Sequence, residues 1–350
     1  MIRPFRPFAA LLVAVSLTAS ASPAAAPAAG TPGYATRADV RAFIGEMADE
    51  YGFDRAALRR VFAQARYQRT VIAAMDRPLR EPPKWYEYAP QFLAPARVDE
   101  GVAYWAAHAD DLARAEQRFG VPAEVIVAIL GVESFYGRYM GGYRTLDVLT
   151  TLSFDYPRRS AFFRGELKQF LLLARELRLP ALTAKGSFAG ALGVPQFMPG
   201  SYRNFAVDFD GSGRADLWNS PADVIGSVAN YLARHDWQPG QPVLLAATIE
   251  EGARERVLRK LDGGLSERRA LAAWSADGVA PVDAPESLAA EPVGVLLLEE
   301  KAEGAESDSY WIACNNFYVI TRYNRSRLYA TAVWELAKAI KAARVAATRN

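Results

Sequence analysis

From Thr36 onward apolar residues recur at helical spacing: Val40, Phe43, Ile44 and Met47 share one face, with Thr36 as the expected N-cap. The same periodicity predicts helices over 54–67, 95–119, 122–134, 160–178 and 221–235. After His235 the texture changes. QPVLLAATI, VGVLLLEE and SYWIACNNFYVITRY are short segments rich in β-branched and aromatic residues, and the pair Asn315-Asn316 suits a hairpin turn. The stretch 277–292, rich in Ala, Pro and acids, reads as an exposed loop, and a closing helix is expected over 327–345. The pattern therefore predicts a mainly α protein with a small antiparallel β part. It divides into a helical region 34–240, a β-rich region 241–322 and a segment 323–350 whose helix packs back on the helical core.

Three stretches fall outside this periodicity. MIRPFRPFAALLVAVSLTASA sets Arg3 and Arg6 before an apolar run and ends on small residues, which predicts a signal peptide over 1–21. Its apolar run is about half of the ~20 residues a membrane span needs. Residues 22–33 are nearly all Ala, Pro, Gly and Ser, a composition that buries no core and reads as a flexible linker. Further on, the prolines of REPPKWYEYAPQF forbid a regular helix, and its aromatics suit either a strap packed on the core or contact with sugar.

Composition narrows the possibilities. At 51% hydrophobic and 23% charged the chain is a packed globular protein, not a disordered one. Lys and Arg number 41 against 39 Asp and Glu; without Arg3 and Arg6 the balance is 39 to 39, so nucleic acid is not an expected partner. Cys314 is the only cysteine, which excludes an intramolecular disulfide and a thiolate metal cluster. His108 and His235 are the only histidines, too few and too far apart for an HExxH zinc site.

Three blocks carry candidate chemistry. In VPAEVIVAILGVESFYGRY, Ile126, Ile129, Leu130 and Glu133 stand at offsets 0, 3, 4 and 7, which sets the Glu133 carboxyl on an apolar face. Desolvation there favours the protonated form and suits a general acid; a buried glutamate neutralised by a cation such as Arg138, or bonded at the helix end, fits the same spacing. KGSFAGALGVPQFMPGSY combines dense glycines with Ser187, Gln196 and Tyr202, uncharged groups that suit a sugar better than a phosphate, though a turn-rich connector would also be written this way. DFDGSGRADLWNSPAD has Asp208, Asp210 and Ser212 at positions 1, 3 and 5 of a calcium loop, Gly213 at 6, the Arg214 carbonyl at 7 and Asp216 at 9. Position 12 is Asn219, and the next carboxylate is Asp223; an acidic turn without metal is the alternative.

Together, in this order, these blocks resemble the membrane-bound lytic murein transglycosylase B family, glycoside hydrolase family 103. KWYEY, LTTLSFDYPRRSAFF, IGSVANYL and ITRYN extend the resemblance over about 38–342. It implies a lysozyme-like helical core and cleavage of the β-1,4 bond between N-acetylmuramic acid and N-acetylglucosamine in peptidoglycan, leaving a 1,6-anhydromuramoyl end. It assigns the catalytic glutamate to Glu133, saccharide binding to Ser187, Gln196, Tyr231, Tyr323 and Asn324, and a structural calcium to Asp208, Asp210, Ser212, Arg214 and Asp223. The family's familiar members are lipoproteins; the cleavage region here has no cysteine, so a soluble, exported, periplasmic form is implied.

Ordinary glycosidases use two carboxylates, and near Glu133 only Asp147 and Asp155 offer a second, each readable as a cap or turn residue. One carboxyl performing both proton transfers is the favoured mechanism, with no cofactor in the chemistry, glycan strands as the partner and a monomer as the working state. A muramidase that hydrolyses the same bond and a noncatalytic peptidoglycan scaffold are the rivals.

Overall fold

The computed structural model describes residues 33–76 and 82–347. The expected signal peptide over 1–21 and the linker 22–33, apart from Gly33, lie outside the described residues. The chain opens with α1 (Ala38–Tyr51), α2 (Arg55–Ala63) and α3 (Arg69–Met75). Thr36 is not the cap of α1: Tyr34–Thr36 forms a 3₁₀ turn and Arg37 takes the cap position without a side-chain bond. Asp54 does cap α2, accepting the Ala57 N–H at 2.6 Å. The proline-rich stretch holds two single helical turns, α4 (Trp85–Tyr88) and α5 (Pro90–Leu93), whose Trp85, Tyr88 and Phe92 are buried. Packing, not sugar contact, accounts for those three. The predicted 95–119 helix breaks at His108 into α6 (Pro95–Ala107) and α7 (Ala109–Phe119), and α8 (Ala123–Ser134) follows.

Next come β1 (Tyr143–Arg144), α9 (Thr145–Phe154), α10 (Ser160–Glu176), β2 (Lys185–Gly186), α11 (Pro199–Phe205) and α12 (Pro221–Arg234). Helix α9 is buried over nine of its ten residues, Thr145 to Ser153, and packs against α3 and α10, from which Phe163, Leu167 and Phe170 point inward. Its run of Leu, Val and Thr has no polar face because no face meets water.

The last third contains β3 (Leu244–Ile249), α13 (Arg254–Leu258), β4 (Leu261–Asp262), β5 (Leu265–Ser266), β6 (Arg269–Ala270), α14 (Leu271–Ala276), β7 (Val279–Pro281), β8 (Pro292–Ala302), β9 (Ala305–Ala313), α15 (Asn315–Tyr323) and α16 (Arg327–Ala347). The antiparallel sheet runs β4-β5-β8-β9-β3-β7, with β6 also on β8. Trp274, Val293, Val295 and Ile312 centre its apolar cluster. Two expectations fail here. The hairpin is not at Asn315-Asn316 but at Glu303-Gly304, whose φ of 50° and 86° give the twist that two-residue hairpins need. Asn315 and Asn316 instead begin α15, where the buried Asn316 accepts the Gln238 N–H at 2.8 Å and donates to the carbonyls of Gln238 and Gln241. Nor is 277–292 a plain loop: it contributes β7 and a 3₁₀ turn with Leu288 buried.

The chain forms two compact units. Among the described residues the N-terminal unit comprises 33–76 and 133–227, and the sheet unit comprises 82–132 and 228–347. The divisions fall inside α8, between Val132 and Glu133, and inside α12, between Ser227 and Val228. This interleaving differs from the consecutive regions 34–240, 241–322 and 323–350 that the sequence pattern suggests. Within the sheet unit, α16 packs on α5, α6 and α15.

Candidate active site

Helix α8 is not amphipathic. Residues 123–132 are buried on every side, so the apolar face inferred from Ile126, Ile129 and Leu130 is the whole circumference. Glu133 follows in the last turn, half-buried. The chain then reverses through three consecutive left-handed residues, Phe135, Tyr136 and Gly137, with φ of 51°, 57° and 91°. Ser134 closes the turn: its Oγ accepts the Gly137 N–H at 2.9 Å and its carbonyl accepts the Tyr139 N–H at 2.8 Å.

The loop so formed is tied to the glycine-rich block of the same unit. Gln196, itself left-handed at φ 52°, donates both Nε2 protons to main-chain carbonyls, to Met140 at 3.2 Å and to Gly193 at 2.7 Å. Gly141 lies so close to the second strand that a Cβ there would sit 2.2 Å from the Gly186 oxygen, which only glycine at φ 89° avoids. Beside it, Ser187 Oγ accepts the N–H groups of Ala189 and Ala191 at 3.2 and 3.0 Å, so its own proton is directed elsewhere. Glu133, Ser187 and Gln196 thus share one braced set of turns.

The other saccharide candidates cluster in the sheet unit. Tyr231 on α12 donates its hydroxyl to the Arg322 carbonyl at 2.7 Å, and its ring lies 4.8 Å from that of Tyr323 and 4.2 Å from that of His235. Tyr323 ends α15, and Asn324, buried, is its C-cap.

In the acidic loop, Asp208, Asp210 and Asp223 each bring one oxygen within 4.8 Å of the others. Asp223 is fully buried in the first turn of α12, accepting N–H groups from Phe209, Asp210 and Asp216 at 2.6, 3.1 and 2.8 Å. Ser212 Oγ reaches the Arg214 carbonyl at 3.2 Å. Asn219, at position 12, instead folds onto Asp216. Ser220 donates to Asp210 at 2.6 Å and, with Ser212, holds that carboxyl down at about 2. Three converging carboxylates with a hydroxyl and a carbonyl make an all-oxygen set that fits calcium.

The remaining acids of this unit are occupied. Asp147 receives the Arg66 N–H at 2.8 Å, Gln68 Nε2 at 3.2 Å and the Arg144 guanidinium at 2.5 Å. Asp155 is bonded by Tyr34 and Arg37, both at 2.5 Å. Glu166, whose carboxyl burial pushes above the ordinary range, accepts the Gly200 N–H at 2.8 Å and fixes the start of α11. Sequence reasoning missed Glu166 and Ser220: neither stands in a spaced motif, and each acts through a partner 34 or 10 residues away.

With this geometry in hand, the comparisons are consistent. Residues 35–338 match the family described as "Transglycosylase SLT domain". The membrane-bound lytic murein transglycosylase B of Escherichia coli (strain K12) is 41% identical over 321 residues, covering 89% of this chain and 85% of that one. The crystal structure of the soluble lytic transglycosylase SltB1 from Pseudomonas aeruginosa superposes with a TM-score of 0.81 at 44% identity, over 87% of this chain and 99% of that one. The Escherichia coli lytic transglycosylase Slt35 in complex with calcium gives 0.79 at 41%, over 89% and 95%. The helical core is lysozyme-like, as the resemblance implied.

Proposed function

The chain belongs to the transglycosylase SLT-domain family and is a lytic transglycosylase of murein, and from that premise we propose that Glu133 is its single catalytic carboxyl. The target is the β-1,4 bond between N-acetylmuramic acid and N-acetylglucosamine. Glu133 gives its proton to the departing O4 as the C1–O4 bond breaks, while the muramoyl 2-acetamido oxygen stabilises the charge at C1. The carboxylate then takes the proton of the C6 hydroxyl as O6 bonds to C1. A 1,6-anhydromuramoyl end leaves, Glu133 is protonated again, and no water is consumed.

The observation that carries this reading is the bracing of the turn after Glu133 by Gln196 and by Gly186 of β2. The last turn of α8 also supports it, because the carbonyl end of a helix favours an uncharged acid over a carboxylate. Asp147, Asp155 and Glu166 are committed to other bonds, which argues for one carboxyl in both roles. Ser187 would donate to the saccharide through its remaining proton, and Gln196, with its protons spent, would accept through its amide oxygen. Tyr231, Tyr323 and Asn324 form a second saccharide-contacting group, Tyr231 acting through its ring and phenolic oxygen.

Calcium would be held by Asp208, Asp210, Ser212, the Arg214 carbonyl and Asp223, fixing the loop that leads into α12. Export through a signal peptide over 1–21, cleaved after Ala21, would deliver a periplasmic monomer to glycan strands. Among the described residues no helix is long and apolar enough to cross a membrane.

Mass spectrometry of the products released from purified sacculi tests the reaction. Anhydromuropeptides are expected from the wild type and not from Glu133→Gln; products with reducing ends alone would make the protein a hydrolase. Calcium is tested separately: starting from metal-free protein, the melting temperature should rise with added calcium and stay flat in Asp223→Asn. A wild-type melting temperature unmoved by millimolar calcium would remove the ion from the account.

A further inference from the structure

The turn after Glu133 is more costly than a chain reversal requires. Phe135 and Tyr136 both adopt the left-handed conformation that side-chain-bearing L-residues avoid, and a glycine would have met the same demand without strain. Strain of this kind persists only where the surroundings enforce it, and here they do so at both ends of the loop: Ser134 at the start, Gln196 and Gly186 of β2 at Met140 and Gly141.

What this support presents is Tyr139. At 63% exposure it is the most exposed large apolar side chain among the described residues, so core packing does not explain it. Its backbone N–H is bonded to the carbonyl of Ser134, the residue next to Glu133. Its ring meets that of Phe135 edge-on, with centroids 6.2 Å apart and planes at 64°, which steadies one side and leaves most of the ring in water.

We propose that the Tyr139 ring is a stacking platform for one pyranose ring of the glycan strand, a specificity-determining contact added to the Glu133 site. An aromatic face carries negative charge density, and the axial C–H groups of a sugar are the complementary surface; the contact needs neither charge nor a pocket. A platform already held rigid loses little freedom on binding, which is what the braced loop supplies. The proposal rests on the reading of Glu133 as the reacting carboxyl, since it is proximity to Glu133 that selects the glycan as occupant. The stem peptides of peptidoglycan are the competing occupant.

The test uses soluble glycan strands stripped of their stem peptides, with Tyr139→Ala, Tyr139→Phe and Tyr139→Trp in the full chain. Tyr139→Ala should raise KM by about 3–10-fold with kcat changed by less than about twofold, the signature of an interaction made equally in the ground and transition states. Tyr139→Phe and Tyr139→Trp should restore KM, because the ring and not the hydroxyl makes the contact. Equilibrium binding of the same strands, followed at 4 °C by intrinsic fluorescence, should weaken in Tyr139→Ala by the same factor, and it decides the proposal even where turnover is absent. An unchanged KM and affinity in Tyr139→Ala, a Tyr139→Phe variant as poor as Tyr139→Ala, or an effect confined to strands that keep their peptides would each overturn it. Normal turnover by Glu133→Gln alongside a weakened Tyr139→Ala would overturn the acid assignment and leave the stacking contact standing.

Discussion

Helix α8 carries a glutamate near each end, and the two stand at opposite poles of its dipole. Glu124, in the first turn, is only 8% exposed and pairs with Lys341 Nζ at 2.7 Å, at the end of the helix where backbone N–H groups favour negative charge. Glu133, in the last turn, is less buried and sits where carbonyls disfavour it. Under the proposed function, the more buried acid is the structural one. With Glu133 so assigned, burial by itself does not mark the reacting carboxyl; the end of the helix it stands on is what sets it apart from Glu124.

The contrast can be broken most directly with the pair Glu133→Gln and Glu124→Gln. Turnover on sacculi should fall by ~10²–10⁴ in the first and stay near wild type, per folded molecule, in the second. Equal losses would erase the distinction between the two ends. Asp147→Asn asks whether a neighbouring carboxylate is purely structural: it should destabilise by about 2–3 kcal/mol in urea unfolding, through its guanidinium and amide partners, while kcat of the folded enzyme persists. A kcat loss as large as that of Glu133→Gln would reinstate a two-carboxylate mechanism.

Lys341→Met leaves Glu124 buried without its cation and should cost about 1 kcal/mol, little because the lysine is 61% exposed. The bond to Glu124 raises the Lys341 pKa above 10.5. The contribution is thus complete below pH 10.5 and lost as pH rises through the raised value, so the melting curves of wild type and Lys341→Met should converge at strongly alkaline pH. The smallest effect is expected at Glu306, an exposed residue whose carboxyl is held low by Lys84 and then Tyr86. Its contribution, present above pH 4.5 and lost as pH falls through the lowered value, should be worth no more than about 1 °C in melting temperature at neutral pH, measured for Glu306→Gln in 0.5 M salt.

How much of this was legible in the sequence depended on the range of the interaction. Helices with a polar face, such as α1 and α10, announced themselves through periodicity. The hairpin did not: Asn315-Asn316 looks like a turn locally, and only the distant carbonyls of Gln238 and Gln241 make Asn316 a helix residue. The left-handed Phe135 and Tyr136 run against their own backbone preferences, so no local rule finds them. Glu133, Ser187 and Gln196 were singled out because their blocks resemble a known family; spacing alone left each of them open to a bland reading. The acidic loop was half legible by pattern: its first positions fit a calcium loop, whereas Asp223 lies beyond position 12 and was named only as the next carboxylate, and the structure buries it in the first turn of α12.

The interleaving of the two units sets an order on synthesis. The N-terminal unit has all of its chain once residue 227 has been made, whereas the sheet unit, whose first segment 82–132 lies between the two segments of the other, waits for the segment from Val228 onward. The nascent protein must therefore keep the apolar stretch of α8 shielded while the other unit finishes first, and an export route that holds the chain unfolded until it has crossed removes that hazard. The same arrangement means that no contiguous fragment corresponds to the sheet unit, and that a protease would have to cut inside two helices to separate the units.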